Sequence, residues 1–458
     1  MLPLAFAILA ADPPAPTFTR DVAPIVQERC LGCHRDGGVG PFPLSTYEDV
    51  SRRASMVRAT IEDGSMPPWF AAPHGDGPSP WRNDASLSKA ERETIVRWIA
   101  AGKPRGDDAD LPKPPSFDAS GWSIGTPNAT YELPAAITIP AEGTMPYRIV
   151  AVETDQPEDR WIRSVEIRPT APAVVHHVLV FVAKSGEGRL RERFSREDGR
   201  GFFAAYVPGN SWVTYPDGYA KKLPKGATLV FQIHYTPNGR ATEDRLRIGF
   251  RFADAPPKHV VRTASVADRR LSIPPGAADH RSEATVDVPF DARLLSFMPH
   301  MHVRGKAFRY EIERPDGTVT IPLDIPRYDF NWQLRYERRE PLELPKGSRL
   351  TGIARYDNSA ANPANPDPDR TVRWGQQTFD EMMLGYFEYV TVEDDPTRPD
   401  VLPDASESRL DFESLRKRFD RDGDGAIDRS EVPSRLHPAF DRLDRNGDGR
   451  VTREDFAR

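Results

Sequence analysis

The sequence predicts a multidomain, mainly β protein with a small α-helical domain, two tandem antiparallel β-sandwiches and a C-terminal α-helical pair. Three observations support this fold class. A helical pattern surrounds two cysteines near the start, short β-branched and aromatic runs fill the middle, and two Asp-rich loops lie near the end. The predicted segments are a leader at 1–15, a helical domain at 16–105, a linker at 106–119, sandwiches at 120–255 and 256–392, a linker at 393–408 and the helical pair at 409–458.

Composition narrows the class of protein. Of the 458 residues, 38% are hydrophobic and 28% are charged, which is typical of globular proteins. The formal net charge of -6 gives no reason to expect nucleic acid or an anionic membrane as a partner. Proline is abundant at 46 residues, which favours loop-rich β structure and linkers over long helices. The chain has only two cysteines, so a disulfide framework is excluded.

The chain begins with a short apolar run at 1–11 that ends in small residues. This run is shorter than the roughly 20 residues of a membrane span, and it is typical of a signal-peptide core. No Lys or Arg precedes it, so the usual basic segment is missing. Together with the cysteine motif described next, it predicts an exported protein, periplasmic or extracellular, with no membrane span.

The two cysteines form a compact motif. Cys30 and Cys33 stand three positions apart and His34 follows at once, which is the c-type haem attachment pattern. The thiols would form thioether bonds and the histidine would ligate iron. The alternative is a redox Cys-x-x-Cys with an incidental histidine. Met66, which two prolines follow in a loop, is the predicted second axial ligand, ahead of Met56 and His74.

A capping box that begins at Ser88 predicts a closing helix, and the unit as a whole resembles a small cytochrome c domain. The region that follows its linker changes pattern. Short runs rich in β-branched and aromatic residues alternate with Pro-Gly, Asn-Gly and Asp-Gly turns, as in antiparallel sandwiches. The predicted strands are 174–182, 228–235, 246–252, 285–288, 294–297, 308–313 and 384–390.

Two loops of the EF-hand pattern end the chain and predict Ca²⁺ binding. The first would supply ligands from Asp420, Asp422, Asp424, the Ala426 carbonyl, Asp428 and Glu431. The second would supply ligands from Asp444, Asn446, Asp448, the Arg450 carbonyl and Asp455. Because its last ligand is the shorter Asp455, the second loop is expected to bind Ca²⁺ more weakly. The alternative is an acidic helix-loop-helix without bound metal.

Five of the ten histidines fall in apolar strand contexts of the middle region: His176, His177, His234, His300 and His302. A single buried histidine is more often a hydrogen-bonded core residue, but five such residues favour a metal site. His300 and His302 leave a strand by the same face because they are two apart. The adjacent pair at 176 and 177 can share one ion only if the backbone is bent there.

These motifs, with the later Asp380-Glu381-Met382, resemble the copper type II, ascorbate-dependent monooxygenases, the family of the peptidylglycine alpha-hydroxylating and dopamine beta-monooxygenases. The resemblance covers about 125–392 and rests on four motifs in the same order. It implies two copper ions and a reaction in which O2 hydroxylates an activated C–H bond. It also implies that Tyr386 lies on the substrate side.

By that resemblance, His176, His177 and His234 would hold an electron-transfer copper on the first sandwich. His300, His302 and Met382 would hold an oxygen-activating copper on the second, with Met383 as the competing thioether. Where the peptide-hydroxylating members carry an arginine for the substrate carboxylate, this chain has Met298. This difference from the family favours a small, neutral or apolar organic substrate.

The function predicted from the sequence is a copper-dependent monooxygenase that receives electrons through a covalently bound c-type haem. Its electron donor would be ascorbate or a redox protein. The second hypothesis is a non-catalytic haem–copper protein for electron transfer or copper binding in the cell envelope. A zinc hydrolase that uses three histidines ranks third, because no Glu general base lies near them in the sequence.

Overall fold

The computed structural model describes residues 14–75, 77–115, 121–183, 201–393, 412–433 and 437–456. The chain forms two compact units, Met1–Leu402 and Pro403–Arg458. The described chain is mainly β with few helices. Residues 1–13 of the predicted leader at 1–15 and most of the second linker lie outside the described residues. Within the described part, no helix combines the length and apolar character needed to cross a membrane.

Short helices make up the N-terminal region. They begin with a π-helix at Phe18–Val22 that runs into the first α-helix. Among the described residues of the larger unit, the α-helices are α1 Ala23–Arg29, α2 Tyr47–Arg52, α3 Ala54–Glu62 and α4 Lys89–Ala100, with 3-10 turns at Asp108–Asp110 and Pro172–Val174. The predicted capping box at α4 is confirmed: Ser88 accepts from the Glu91 N–H, and the Glu91 carboxylate accepts from the Ser88 N–H.

The helices enclose a core of their own. Trp98, on α4, is its largest fully buried side chain. Phe18 packs 5.4 Å from the Tyr47 ring and 5.9 Å from the Trp98 ring, so the first and last helical segments meet at these aromatics. The other core residues are aliphatic and come from every helix of the region. The N-terminal helices therefore form one packed unit, which we call the helical region.

Two facing sheets follow the helical region. Their strands, with two short ones that pair separately, are β1 Ala129–Glu132, β2 Ile137–Ile139, β3 Arg148–Glu153, β4 Arg160–Arg168, β5 Val175–Ala183, β6 Ala204–Tyr206, β7 Trp212–Thr214, β8 Tyr219–Leu223, β9 Thr228–Tyr235, β10 Thr242–Asp244, β11 Arg247–Phe252 and β12 His259–Val260. One sheet has the order β1-β11-β4-β8-β12, with β7 also on β4, and the other has the order β3-β9-β5-β6. A single apolar core lies between them.

Two more sheets form the second half of the β region. Their strands, again with a separate short pair, are β13 Arg262–Ala267, β14 Ser272–Ile273, β15 His280–Asp287, β16 Ala292–His300, β17 Gly305–Glu313, β18 Val319–Ile325, β19 Tyr336–Leu344, β20 Arg349–Tyr356, β21 Val372–Arg373 and β22 Leu384–Thr391. The sheet orders are β13-β22-β16-β19 and β15-β20-β17-β18. They face each other, because the rings of Phe297 on β16 and Tyr310 on β17 lie 4.7 Å apart.

All seven predicted strands are present, although several are longer than predicted. The sheets are antiparallel except where β12 pairs with β8. The two halves of the β region meet through an apolar cluster. On one side it contains Leu179 and Phe181 of β5, and on the other Met298 of β16 and Leu384 of β22. This contact positions the predicted metal ligands, which lie at its edge on the same strands.

The helical region is docked on the second half of the β region. Trp81 packs 5.7 Å from the Tyr336 ring and 6.3 Å from the Phe297 ring. The Arg327 guanidinium donates to the carbonyl oxygens of Asp63 (2.9 Å) and Gly64 (2.5 Å). Aromatic packing and hydrogen bonds to main-chain carbonyls thus fix the helices against β18 and β19.

The C-terminal unit contains two short helices and a two-stranded ribbon. The elements are α5 Phe412–Phe419, β23 Ile427–Asp428, α6 His437–Leu443, β24 Arg450–Val451 and a 3-10 turn at Glu454–Phe456. Ile427 pairs with Val451 in the ribbon. Both residues belong to the apolar core of the unit, so the ribbon joins the two predicted Ca²⁺ loops back to back.

Candidate functional site

Three of the predicted ligands meet at the start of strand β5. His177 lies directly opposite His234 of β9, so both side chains leave the sheet by the same face. The register shifts between Val175 and His177, which leaves His176 as the extra residue of a β-bulge. The bulge supplies the backbone bend that two adjacent histidines need, and the three rings lie 4.9 to 5.3 Å apart.

The nitrogen atoms of this histidine triad (His176, His177 and His234) are arranged as metal donors. One nitrogen of each ring lies within 4.8 Å of the others, and His176 Nδ1 is 3.1 Å from His177 Nδ1. The buried Nε2 atoms of His176 and His177 and the buried Nδ1 of His234 have no hydrogen-bond partner among the described residues. Unpaired buried nitrogen atoms are costly unless they bind something, so the arrangement fits a bound cation.

His300 and His302 approach the triad from the second half of the β region. His300 ends strand β16, and its Nδ1 lies 2.9 Å from the Gln333 side-chain oxygen. His302 Nδ1 lies 3.2 Å from the Asp380 carbonyl oxygen. Because an oxygen of this kind only accepts, each Nδ1 carries the proton and each Nε2 keeps the lone pair. Both rings are therefore held in the tautomer that a metal ligand requires.

All five histidines belong to one cluster. The His177 and His300 rings are 5.5 Å apart, and the His300 and His302 rings are 5.3 Å apart. The sequence had led us to expect two separate groups, one on each half. They are instead contiguous, because β5 and β16 both bring their histidine-bearing ends to the contact between the halves.

Burial keeps these imidazoles neutral. Desolvation is the largest of the effects that lower the pKa of His176 to about 3, and the nearby His234 and His300 contribute to this shift. It lowers the pKa of His234 and of His300 to about 4, and those of His177 and His302 fall well below their usual range. At neutral pH each ring therefore has a lone pair available for a cation.

A buried carboxylate supports the second pair of histidines. Glu381 accepts the backbone N–H groups of His302 (2.8 Å), Arg304 (2.7 Å) and Met382 (3.1 Å). It ties the loop after β16 to the segment before β22. Burial raises the pKa of its carboxyl to about 7, although these donors pull the pKa down. In the sequence, Glu381 is recognisable only as part of the Asp380-Glu381-Met382 motif, beside apolar Met382.

Two further neighbours were not predicted. Phe330 stacks on His176 at 4.2 Å, and Gln333 orients His300. Both come from an irregular segment before β19, which has no periodicity from which their positions could be predicted. The segment contributes to the cluster because Tyr328 anchors it: its hydroxyl donates to the Met301 carbonyl at 2.9 Å.

The two adjacent methionines face opposite ways. Met382 is fully buried in the apolar cluster between the two halves, with Met298 and Tyr386. Met383 packs towards β20, where its methyl group would contact a side chain placed at Gly352. Leu384, the register partner of His300, lies in that same cluster with Met382. Met382 is therefore the methionine on the histidine side, and Tyr386 is buried further along the same face.

The cysteine motif borders a large cavity. Cys30, Cys33 and His34 line a space of about 550 Å³, together with Met56 and Met66. This volume lies within the range of about 300–1,000 Å³ typical of cofactor pockets. His34 Nδ1 lies 3.0 Å from the Phe42 carbonyl oxygen, so its Nε2 carries the lone pair. These residues fit a covalently attached haem.

Of the three candidate axial ligands, the structure brings both methionines to the cavity. His74 lies apart from it, with its Nε2 3.8 Å from Asp84. The opposite wall of the cavity comes from the β region. It includes the 3-10 turn before β5, His176 itself, and Asn331 and Trp332. The cavity at the cysteine motif and the histidine triad therefore share one residue.

The C-terminal loops carry the predicted oxygen ligands. Oxygen atoms of Asp420, Asp422 and Glu431 lie close enough to hold one ion, as do those of Asp422, Asp424 and Asp428. At the sixth position of each loop, Gly425 (φ +90°) and Gly449 (φ +85°) adopt a backbone conformation that favours glycine. In the second loop Asp455 accepts the Arg445 N–H, as Glu431 accepts the Arg421 N–H in the first.

Comparison with known proteins identifies the C-terminal region. An EF-hand family model matches residues 417–432 and 436–458, so this end of the chain carries a calcium-binding EF-hand pair. No curated protein matches the chain.

Similarity to solved structures is weak. The major capsid protein P2 from bacteriophage PM2 is 11% identical over 58% of this chain and 98% of that chain, with a TM-score of 0.25. The VP2 subviral particle of infectious bursal disease virus is 12% identical over 64% and 89%, with a TM-score of 0.16. The CBM22-1-CBM22-2 tandem domain from Paenibacillus barcinonensis Xyn10C is 12% identical over 59% and 95%, with a TM-score of 0.15. None of these likenesses supports a statement about fold or function.

Proposed function

We propose that this protein is a copper-dependent monooxygenase that hydroxylates an activated C–H bond of an organic substrate with O2. Electrons would reach the copper through a covalently bound c-type haem. One observation carries the proposal: five neutral histidines from both halves of the β region, four of them buried and His176 half-buried, form a single cluster beside a cavity that is lined by a Cys-x-x-Cys-His motif. In this proposal the helical region is a cytochrome c-like domain, and the facing sheets are two tandem β-sandwiches.

The donor sets suit copper. The triad offers imidazole nitrogens only, and imidazole accepts both oxidation states of copper. His300 and His302 offer two more imidazoles, and Met382 offers a thioether, which favours Cu(I). Bound copper would supply the one-electron chemistry and the activation of O2 that amino-acid side chains lack.

The chain itself would position the ligands and exclude water. Glu381 fixes the backbone of His302 and Met382, and Gln333 and the Asp380 carbonyl fix the two rings. Second-shell hydrogen bonds of this kind orient metal ligands and raise their basicity. Because the cluster is buried at the contact between the halves, water is kept from the reacting atoms, which protects a reactive oxidant from side reactions.

The surroundings favour a neutral or apolar substrate. Met298 lies in the apolar cluster with Leu384 and Tyr386, and it occupies the position of the arginine that the peptide-hydroxylating enzymes use for a carboxylate. Tyr386 is proposed on the substrate side. The electron donor would be ascorbate or a redox protein, and we propose an exported, periplasmic or extracellular location.

Metal analysis and an O2 assay test this function. We expect two copper ions and one haem iron per chain, and O2 uptake coupled to a hydroxylated product when a reductant and a panel of neutral organic substrates are supplied. The control is the same protein with zinc in place of copper. If the copper- and haem-loaded protein consumes no O2 beyond autoxidation of the reductant, the enzyme proposal fails. If the natively purified protein holds zinc in the histidine cluster, both copper proposals fail.

A second candidate function is a non-catalytic haem–copper protein for electron transfer or copper binding in the cell envelope. Its favouring observation is the burial of the second pair of histidines: His300 is 2% exposed and His302 is 1% exposed. A substrate therefore has little direct access to them. Under this candidate, the haem and copper would be reduced and reoxidised without hydroxylated product.

A further inference from the structure

The cavity beside the cysteine motif has two walls that come from distant parts of the chain. Cys30, Cys33 and His34 form one wall, and Pro172–Val174 and His176 contribute to the other. His176 also belongs to the histidine triad. Of the three triad residues, it alone lines this cavity, and it remains half-buried while His177 and His234 are buried.

We propose that His176 is the electron port between the haem and the copper of the triad. This inference rests on the proposed haem and copper occupancy and adds the route that connects them. In the step, a ferrous haem gives up one electron and becomes ferric, and one Cu(II) held by the triad becomes Cu(I). No proton or bond changes partner, and the external reductant restores the ferrous haem.

The port is formed by the β-bulge. In a regular strand His176 and His177 would point to opposite faces, and only one of them could face His234. The extra residue in β5 allows His176 to share the triad while part of its ring still lines the cavity. Phe330 stacks on that ring at 4.2 Å, and its neighbours Asn331 and Trp332 line the same cavity. The imidazole is thus held between the two predicted cofactor positions.

Flash reduction of the haem tests the port. The full-length protein, loaded with haem and Cu(II), receives one electron per molecule from a photoreductant without O2, and the haem α-band is followed. We expect the haem to be reoxidised at a rate that is independent of protein concentration. In the copper-free protein it should stay reduced. Reoxidation that slows in proportion to dilution would overturn the proposal.

Two matched variants locate the route. His176→Ala and His234→Ala each remove one imidazole from the triad, but only His176 lines the cavity. In the molecules that retain copper by metal analysis, His176→Ala should lose the concentration-independent phase and His234→Ala should keep it. Equal loss in both variants would show that His176 has no special part in the transfer.

A spectroscopic readout covers the case in which either variant loses copper or misfolds. Ferric haem close to Cu(II) should shorten the electron spin relaxation of the copper, compared with the haem-free Cys30→Ser/Cys33→Ser protein. Unchanged relaxation would refute the port. If the haem is reoxidised at a rate independent of protein concentration but no hydroxylated product forms, the monooxygenase proposal fails and the role of His176 stands. If product forms without this phase of haem reoxidation, the role of His176 fails and the monooxygenase proposal stands.

Discussion

At the scale of single residues, Met382 and Met383 are adjacent, but their side chains face opposite sides, and only Met382 lies on the side of the histidines. Both side chains are fully buried. Met382 faces the contact between the two halves and the side of the histidines, whereas Met383 faces β20 inside the second half. The two residues are alike in chemistry, burial and size, so each is a control for the other.

Met382→Ala is expected to remove the second copper and the hydroxylation, while the copper of the triad remains. Copper per chain should fall from two to one by metal analysis. The cavity left by either methionine should also cost about 2–5 kcal/mol of stability, measured by urea unfolding. Met383→Ala should show that loss of stability with both copper ions retained. If both variants lose the same copper, Met382 is not a ligand.

The sequence could indicate the ligands but not their common location. The spacing of His300 and His302 predicted one strand face for both, although β16 ends at His300 and His302 follows in the loop. The order of the motifs singled out Met382. The bulge that brings His176 and His177 together depends on how β5 pairs with β9, which no local pattern encodes. Phe330 and Gln333 could not be predicted, because their segment is irregular and is held by tertiary contacts such as the Tyr328 hydrogen bond.

At the scale of elements, two of the strands that the sequence missed, β19 and β20, give only a weak apolar alternation. β19 carries charged residues over most of its length. Its sequence therefore lacks the regular alternation of apolar and polar residues that marks a half-buried strand. β20 does alternate, but two of its inward positions are Gly352 and Ala354, which give a weak apolar signal. Where both faces are apolar, as in β9, the strand was predicted with its observed ends.

The link between the loop after β16 and the start of β22 depends on Glu381. Glu381→Gln replaces one accepting oxygen by a donor, so a buried backbone N–H group loses its partner. We expect a loss of about 1–3 kcal/mol in unfolding free energy and weaker copper binding by His300, His302 and Met382. Copper at the triad should be retained. The exposed Glu283→Gln should change neither quantity, and copper binding unaffected by Glu381→Gln would contradict this role.

In the EF-hand pair, the twelfth residue of each loop should set the order of Ca²⁺ affinities. Glu431 can ligate through both carboxylate oxygens, and the shorter Asp455 should ligate through one. Calorimetric titration with Ca²⁺ should show that Glu431→Gln removes the tighter site. Asp455→Glu should tighten the weaker one. Chelation of Ca²⁺ should lower the melting temperature of the C-terminal unit, and two sites of equal affinity would contradict the expected order.

At the scale of the whole molecule, a buried ionic cluster joins the two halves of the β region. Glu388 on β22 lies 2.8 Å from the Lys221 ammonium of β8 and 3.4 Å from Arg335, and it accepts from the Tyr215 hydroxyl at 2.7 Å. Burial alone would raise the pKa of the Glu388 carboxyl, but the two cations lower it to about 2. The sequence could not predict this cluster, since its members lie far apart in the chain.

Glu388→Gln should cost about 3–5 kcal/mol at neutral pH, because it leaves Lys221 buried without its carboxylate. The pKa of Glu388 lies below the usual value of 4.5. The Glu388 carboxylate therefore contributes fully to the free energy of unfolding above pH 4.5, and this contribution is lost as pH falls towards about 2. Urea unfolding at several pH values should show that the difference in unfolding free energy between Glu388→Gln and wild type becomes smaller over that pH range. The surface variant Glu343→Gln should differ little from wild type in unfolding free energy. A difference for Glu388→Gln that does not change with pH would contradict this role of the Glu388 carboxylate.

The two-walled cavity also constrains biogenesis. The thiols of Cys30 and Cys33 border a space whose far wall is made by residues near His176 and by Trp332, which are synthesised much later. If haem is attached to these cysteines, the attaching enzyme needs access to them before the helical region docks on the sheets. We therefore expect haem attachment to come before the helical region docks on the sheets.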